Sequence, residues 1–126
     1  MKLIRKDQAI HVDKTNSTEV DYYLLEDVEI HYNKINPRTL QEWHRHHRIS
    51  ENIFILKGEL VYYYLDETNK EQSLKLKQGD LLSVENDIHT FENQTDEVIE
   101  FIVFRYLPSY KNQRELIKND KEIIER

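Results

Sequence analysis

Residues Glu42–Gly58 read EWHRHHRISENIFILKG. They place three side chains able to ligate a metal, His44, His46 and Glu51, within eight residues and end in a glycine turn. In an extended segment, residues i and i+2 point the same way. His44 and His46 then share a face with Glu42, while Trp43, Arg45 and His47 take the opposite face. Glu51 heads the next strand, where same-face Ile53 and Ile55 mark an interior side. A carboxylate there needs a partner, because an unpaired buried charge is very costly. Two imidazoles and a metal would supply one. Further on, a second glycine-led segment, Gly79–Asn93 (GDLLSVENDIHTFEN), contributes His89.

Working outward, the flanking sequence reads as short strands. Val20–Leu25 and Val28–Ile35 precede the histidines, and in the second Val28, Ile30 and Tyr32 alternate with Glu29, His31 and Asn33, the period of a half-buried strand. Asn36-Pro37 marks a turn, and extended structure is predicted to resume over Leu40–His47. Asn52–Leu56, Leu60–Leu65, the Leu74/Leu76 alternation, Leu81–Val84, His89–Glu92 and Val98–Tyr106 continue the series. Leu60–Leu65 is apolar and aromatic throughout, so both its faces are expected to be covered. Short strands separated by turns at this spacing indicate an all-β sandwich or barrel. Leu3–Val12 adds one or two edge strands, an arm that suits pairing with a second subunit's sheet edge. After Pro108 the pattern changes. Tyr110–Glu125 is charged, with Leu116, Ile117, Ile123 and Ile124 about one heptad apart, and reads as a helix capped by Ser109. The expected organisation is one β domain over residues 1–107 and a helix within 108–126, packed on the barrel or on a partner.

Bulk properties narrow the function. At 126 residues the chain has the length of one domain. Its 38% apolar content is low, and eight tyrosines and four phenylalanines partly offset that through their large buried areas. The net charge of −6 gives no overall attraction to nucleic acid or to an anionic membrane. With a single acidic-to-neutral helix, the chain lacks a helix-turn-helix and direct DNA binding is not expected. There are no cysteines, which removes disulfides and thiolate zinc sites. No signal-like or membrane-spanning apolar run is present, so a cytoplasmic location is the default expectation.

The spacing His44-x-His46, four residues, Glu51, six residues, Gly58 resembles the first motif of the cupin superfamily. Gly79-Asp80 through His89 to Asn93 resembles the second. The only two glycines of the chain both fall on motif positions, where each makes a tight turn. Arg38 stands where the first motif usually opens with glycine, Glu85 where the second has proline, and Asp87 where glycine is often found. The Gly79–His89 interval is one residue shorter than the common form. The resemblance implies a jelly-roll barrel with the site inside it, commonly a homodimer. It also implies the ligand set His44, His46, Glu51 and His89. Such a mixed imidazole–carboxylate set suits a divalent transition metal: Fe, Mn, Zn, Ni, Co or Cu.

Two functions follow from these expectations. One is a mononuclear metal-dependent enzyme acting on a small molecule, of isomerase/epimerase or dioxygenase type, with Glu51 as ligand or general base. The alternative is a non-catalytic small-molecule-binding or sensor protein in which the metal is structural or anchors the ligand. Tyr62, Tyr64, Phe91, His31 and Arg105 are the candidates for the substrate pocket. Arg105 ends an otherwise apolar strand and offers a fork of donors to a carboxylate. Glu42 is a candidate rim carboxylate, and His47 a surface histidine.

Overall fold

The computed structural model describes residues 1–109 and 111–125. Ten strands form two antiparallel sheets. In chain order they are β1 (Ile10–Asp13), β2 (Thr18–Leu24), β3 (Val28–Ile35), β4 (Thr39–Leu40), β5 (Ser50–Lys57), β6 (Glu59–Leu65), β7 (Glu71–Lys77), β8 (Leu81–Val84), β9 (His89–Asn93) and β10 (Ile99–Tyr106). The larger sheet has the order β1-β2-β3-β10-β5-β8, and the smaller β4-β9-β6-β7. The all-β expectation therefore holds. The inner faces of the two sheets enclose one core that includes Ile35, Ile53, Ile55, Leu60, Phe91 and Phe101.

Period-2 alternation accounts for which residues face that core. On β5, Glu51, Ile53 and Ile55 are buried, and on β10, Ile99, Phe101 and Val103. On β3 the alternation holds, but the inward face is the polar one. His31 and Asn33 are buried beside Ile35, while Ile30 and Tyr32 lie on the outer face, half-buried. Leu60, Val61 and Tyr62 are buried in succession, so the first half of β6 is covered on both faces.

Turn chemistry fixes the connections. Gly58 (φ 91°) and Gly79 (φ 89°) sit at the expected tight turns, and both adopt the left-handed region. Arg38, at the place where the first motif usually has glycine, is also left-handed (φ 57°). Arg38 thus makes a left-handed turn without a glycine. At the far end of the second motif, Asn93 is fully buried and ties three segments together. Its Nδ2 donates to the carbonyls of Ile35 (3.1 Å), Asn36 (3.1 Å) and Glu97 (2.7 Å). Its Oδ1 accepts from Thr95 N (2.9 Å) and Thr95 Oγ1 (2.7 Å).

The N-terminal arm holds an edge strand as expected: residues 10–13 pair with β2 at the edge of the larger sheet. Two sequence expectations change. The strand predicted over Leu40–His47 is regular only at Thr39–Leu40, and its histidines lie beyond it. The C-terminal helix is a short one, α1 (Arg114–Asn119), not a helix over Tyr110–Glu125, of which Tyr110 lies outside the described residues. Ser109 does not cap it. Gln113 precedes its first turn, and the Ser109 hydroxyl instead accepts from Lys111 N at 3.3 Å. Every residue of α1 is exposed, including Leu116 and Ile117. Six residues give too few hydrogen bonds to offset helix nucleation in the absence of a packed face. Among the described residues no helix is long and apolar enough to cross a membrane.

Candidate metal centre

The histidine segment runs alongside β9. After the pair Leu40↔Glu92, Gln41 N donates to Phe91 O (2.9 Å), and His44 then forms a bridge with His89. The stretch from Leu40 to His44 is one residue longer than the Glu92–His89 stretch opposite it. That extra residue is a bulge, a device that bends a strand and re-aims its side chains. The His44–His89 bridge is closed by two backbone hydrogen bonds, His44 N to His89 O (2.9 Å) and His89 N to His44 O (3.0 Å). The Thr90 hydroxyl adds a bond to Gln41 O at 2.7 Å. Two histidines from distant motifs are thereby fixed by main-chain contacts.

The predicted alternation survives the loss of regular strand. His44 and His46 are half-buried, and Trp43, Arg45 and His47 are exposed. The rings of His44 and His89 lie 4.3 Å apart, those of His44 and His46 5.2 Å, and those of His46 and His89 6.0 Å, centroid to centroid. One ligating nitrogen from each of the three falls within 4.8 Å of the others.

Tautomers follow from partners that can only accept. His44 Nδ1–H donates to the Glu42 carbonyl (3.1 Å), and His89 Nδ1–H to the Asp87 carbonyl (2.9 Å). Each Nε2 then carries the free lone pair. Backbone acceptors of this kind are the usual means of orienting metal-binding imidazoles. His89 Nε2 and His46 Nε2 are buried with no hydrogen-bond partner, and so is Glu51 Oε1. Buried polar atoms are nearly always satisfied. Two unpartnered imidazole nitrogens beside a third oriented histidine are what a cation-binding cluster looks like with its donors converging, so His44, His46 and His89 fit a divalent metal. Burial holds the His46 and His89 imidazoles below the usual histidine range, which keeps them neutral and able to ligate.

Glu51 is 2% exposed, with Oε1 3.0 Å from His46 Nε2 and 2.5 Å from Arg105 Nε. The contact with Arg105 is a close ion pair and not an aligned hydrogen bond, since neither Oε1 nor Nε has a hydrogen-bond partner. The cross-strand register explains it. Arg105 on β10 lies directly opposite Glu51 on β5, and opposite Glu29 on β3. Arg105 therefore meets a buried carboxylate, a contact the sequence did not reveal.

Beside the histidines lies a cavity of about 270 Å³ whose walls include His31, His44, Glu51, Phe91 and Arg105. Three of the five predicted pocket residues, His31, Phe91 and Arg105, line it. Tyr62 and Tyr64 do not. They stack on each other (5.8 Å) along a separate open cleft, and the Tyr62 hydroxyl donates to Asp87. Burial pushes the Tyr62 phenol well above its usual range. His31 is 3% exposed and held by Glu29 Oε1 at 2.9 Å, with burial lowering its pKa. Glu42 sits at the rim and accepts from Asn16 Nδ2 (3.0 Å).

Sequence reading missed the polar residues Lys14, Asn16, Asn33 and Gln41 and the apolar Phe101 and Val103, which complete the lining. Lys14 and Asn16 arrive on the β1–β2 turn, where Ser17 is left-handed (φ 59°). Only the polar inward face of β3 hinted at a wet interior.

Solved structures with this fold share little sequence with the chain. Drosophila melanogaster CENP-C bound to CAL1 aligns at a TM-score of 0.71 and 15% identity, covering 82% of this chain and 84% of that one. Oxalate decarboxylase from Lactobacillus farciminis, in a formate complex, aligns at 0.68 and 18%, covering 84% of this chain and 32% of that one. A Bacillus subtilis oxalate decarboxylase mutant gives 0.69 and 14%, with 85% and 30% covered. The chain thus spans about a third of the decarboxylases' length. No curated protein sequence matches it. The family model described as "Cupin domain" matches residues 31–105, the span that holds both motifs, both ends of the His44–His89 bridge and the Glu51–Arg105 pair, and the chain belongs to that family.

Proposed function

We propose that this cupin is a mononuclear metal-dependent enzyme that moves a proton on a small anionic molecule, an isomerase or epimerase in type. The observation that carries the reading is the set of orphaned Nε2 atoms of His46 and His89 beside Glu51, next to a cavity with two cations in its wall. His44, His46 and His89 would hold the metal. A bound divalent ion would supply Lewis acidity toward a carbonyl or enediol oxygen.

The chain's own residues do the rest. Lys14 and Arg105 balance Glu42 and Glu51 in the cavity wall, so a bound divalent ion would supply the excess positive charge suited to a carboxylate, and Asn16, Asn33 and Gln41 offer amide donors for hydroxyl or carbonyl groups. Glu51, which lines the cavity, would take up and return the proton. Phe91 and Phe101 form a dry wall, and a cavity of about 270 Å³ limits the molecule to a compact one. The oxalate decarboxylases with the same fold are named for a small dicarboxylic acid, in keeping with an anionic substrate.

The test begins with elemental analysis of tag-free protein beside His46→Ala. One transition metal per chain, lost in the variant, is expected. No metal in the wild type after addition of Fe, Mn, Zn and Ni would overturn the reading. The metal-loaded protein is then incubated in D2O with a panel of small hydroxy and keto acids and followed by NMR. Deuterium uptake at the carbon beside a carbonyl is expected. Oxygen consumption without exchange would indicate the dioxygenase type. Binding without turnover would move the protein to the sensor reading.

The molecule is also proposed to be a homodimer. The outer face of the larger sheet carries apolar side chains in register across four strands, Ile30 opposite Phe104, and Tyr32 and Phe54 on either side of Ile102 with Leu81 beyond. A face of this kind is costly to leave in water. Sedimentation at micromolar concentration should give twice the 15.4 kDa chain mass, and a monomer would refute it.

A further inference from the structure

We infer that Arg105 withholds Glu51 from the metal, so that the metal-binding set is three imidazoles and the carboxylate stays free as a base. The inference rests on the metal reading above and assigns the role of a residue next to that site. The geometry is a contest for one oxygen. Glu51 Oε1 lies 3.0 Å from His46 Nε2, close enough to join the histidines around a shared ion, yet 2.5 Å from Arg105 Nε. A carboxylate paired with a guanidinium has its charge offset, and the fixed positive charge opposes a divalent cation on the same oxygen. The donor nitrogens of His44, His46 and His89 fall within 4.8 Å of one another, and Glu51 is not part of that group.

The pairing is built into the sheet. Arg105 and Glu51 occupy directly opposite positions on β10 and β5, where side chains on one face must meet. Glu51 is 2% exposed, so water cannot replace the guanidinium as its partner. Arg105 also has Glu29 opposite it on β3, at the same level of the sheet. The Glu29 carboxylate is taken by His31 Nε2 at 2.9 Å, so Glu51 is the carboxylate left for the guanidinium. Arg105 is in this sense a positioning residue, which acts on the chemistry through Glu51.

The experiment uses the full chain stripped of metal and titrated with Co2+ against a chromophoric chelator, with the d–d absorption recorded at saturation. Arg105→Gln should bind Co2+ at least about tenfold more tightly than wild type, the scale on which partners of metal ligands change affinity. Its spectrum should change as Glu51 joins the ion. Glu51→Gln should bind within about threefold of wild type, with the wild-type spectrum, and adding it to Arg105→Gln should abolish the gain. Arg105→Gln no tighter than wild type, or Glu51→Gln at least about tenfold weaker with an altered spectrum, would overturn the inference. If Arg105→Gln fails to fold by circular dichroism, the Glu51→Gln affinity and spectrum decide alone. Failure of every protein, wild type included, to bind Co2+, Zn2+ or Mn2+ would overturn the metal reading and this inference with it.

Discussion

Replacing Asn93 by an aspartate changes one nitrogen to oxygen at the most heavily bonded side chain of the fold. The Asn93 amide faces three carbonyls, of Ile35, Asn36 and Glu97, from a fully buried position. The substituted side chain keeps an acceptor for Thr95 N and Thr95 Oγ1 but turns a second oxygen toward those carbonyls. The Ile35 carbonyl is buried and loses its donor outright, at about 1–3 kcal/mol. The bonds to Asn36 and Glu97 are part-buried and are replaced in part by water, at about 0.5–1 kcal/mol each. The carboxylate's own desolvation adds about 1–2 kcal/mol and raises the total to about 3–7 kcal/mol at pH 8. The sign with pH is set by the same geometry. Oxygen facing carbonyl oxygen is relieved only by a proton, so the new carboxyl has a folded-state pKa above its unfolded value of about 3.9. Below that raised pKa the folded state binds a proton that the unfolded state lacks. Stability therefore rises as pH falls through it, the reverse of an ordinary ion-paired carboxylate. The assay is urea unfolding of wild type and Asn93→Asp in parallel at pH 8 and pH 5.5, reading the difference between the two proteins. The penalty should be large at pH 8 and shrink at pH 5.5. A loss below about 1 kcal/mol at pH 8, or one that grows on acidification, would refute the reasoning.

Three further outcomes can be checked. The two glycines should separate on substitution. Gly79→Ala meets nothing within 4 Å and carries only the left-handed backbone strain of about 1–2 kcal/mol, whereas Gly58→Ala brings a Cβ to 2.9 Å from Ile99 Cγ1 and should lose about 1–3 kcal/mol more, read as denaturation midpoints. Wild-type stability without metal should fall as pH drops from 7 toward 5, because burial lowers the pKa of His31, His46 and His89 and the unfolded chain takes up protons that the folded chain refuses; a flat profile over that range would contradict the burial assigned to them. Thr90→Val removes the hydroxyl bond to Gln41 O at 2.7 Å and should cost about 1–3 kcal/mol in unfolding free energy, while Thr95→Val, at a half-exposed turn, should cost less.

What the sequence determined by itself is local. Alternation along a strand is enough to put Glu51, Ile53 and Ile55 on one side and to set His44 and His46 apart from Trp43, Arg45 and His47. Two glycines at turn positions bracket the strands between the motifs, and their backbone conformations are the ones those turns require. The metal-binding candidates needed nothing more than this short-range geometry together with the motif spacing. The helix beyond Pro108 is shorter than its periodicity suggests, since an apolar stripe gains nothing until something packs against it. The tertiary structure decided everything that depends on register between strands remote in sequence. It placed Arg105 opposite Glu51, turned the polar side of β3 inward so that His31 and Asn33 face a cavity, sent Tyr62 and Tyr64 to a different cleft, and inserted the bulge that bridges His44 to His89. The reason is physical: side-chain direction repeats every two residues within one strand, whereas which residue lies across from it depends on the pairing of the whole sheet, and a shift of one position would give every such neighbour a different identity.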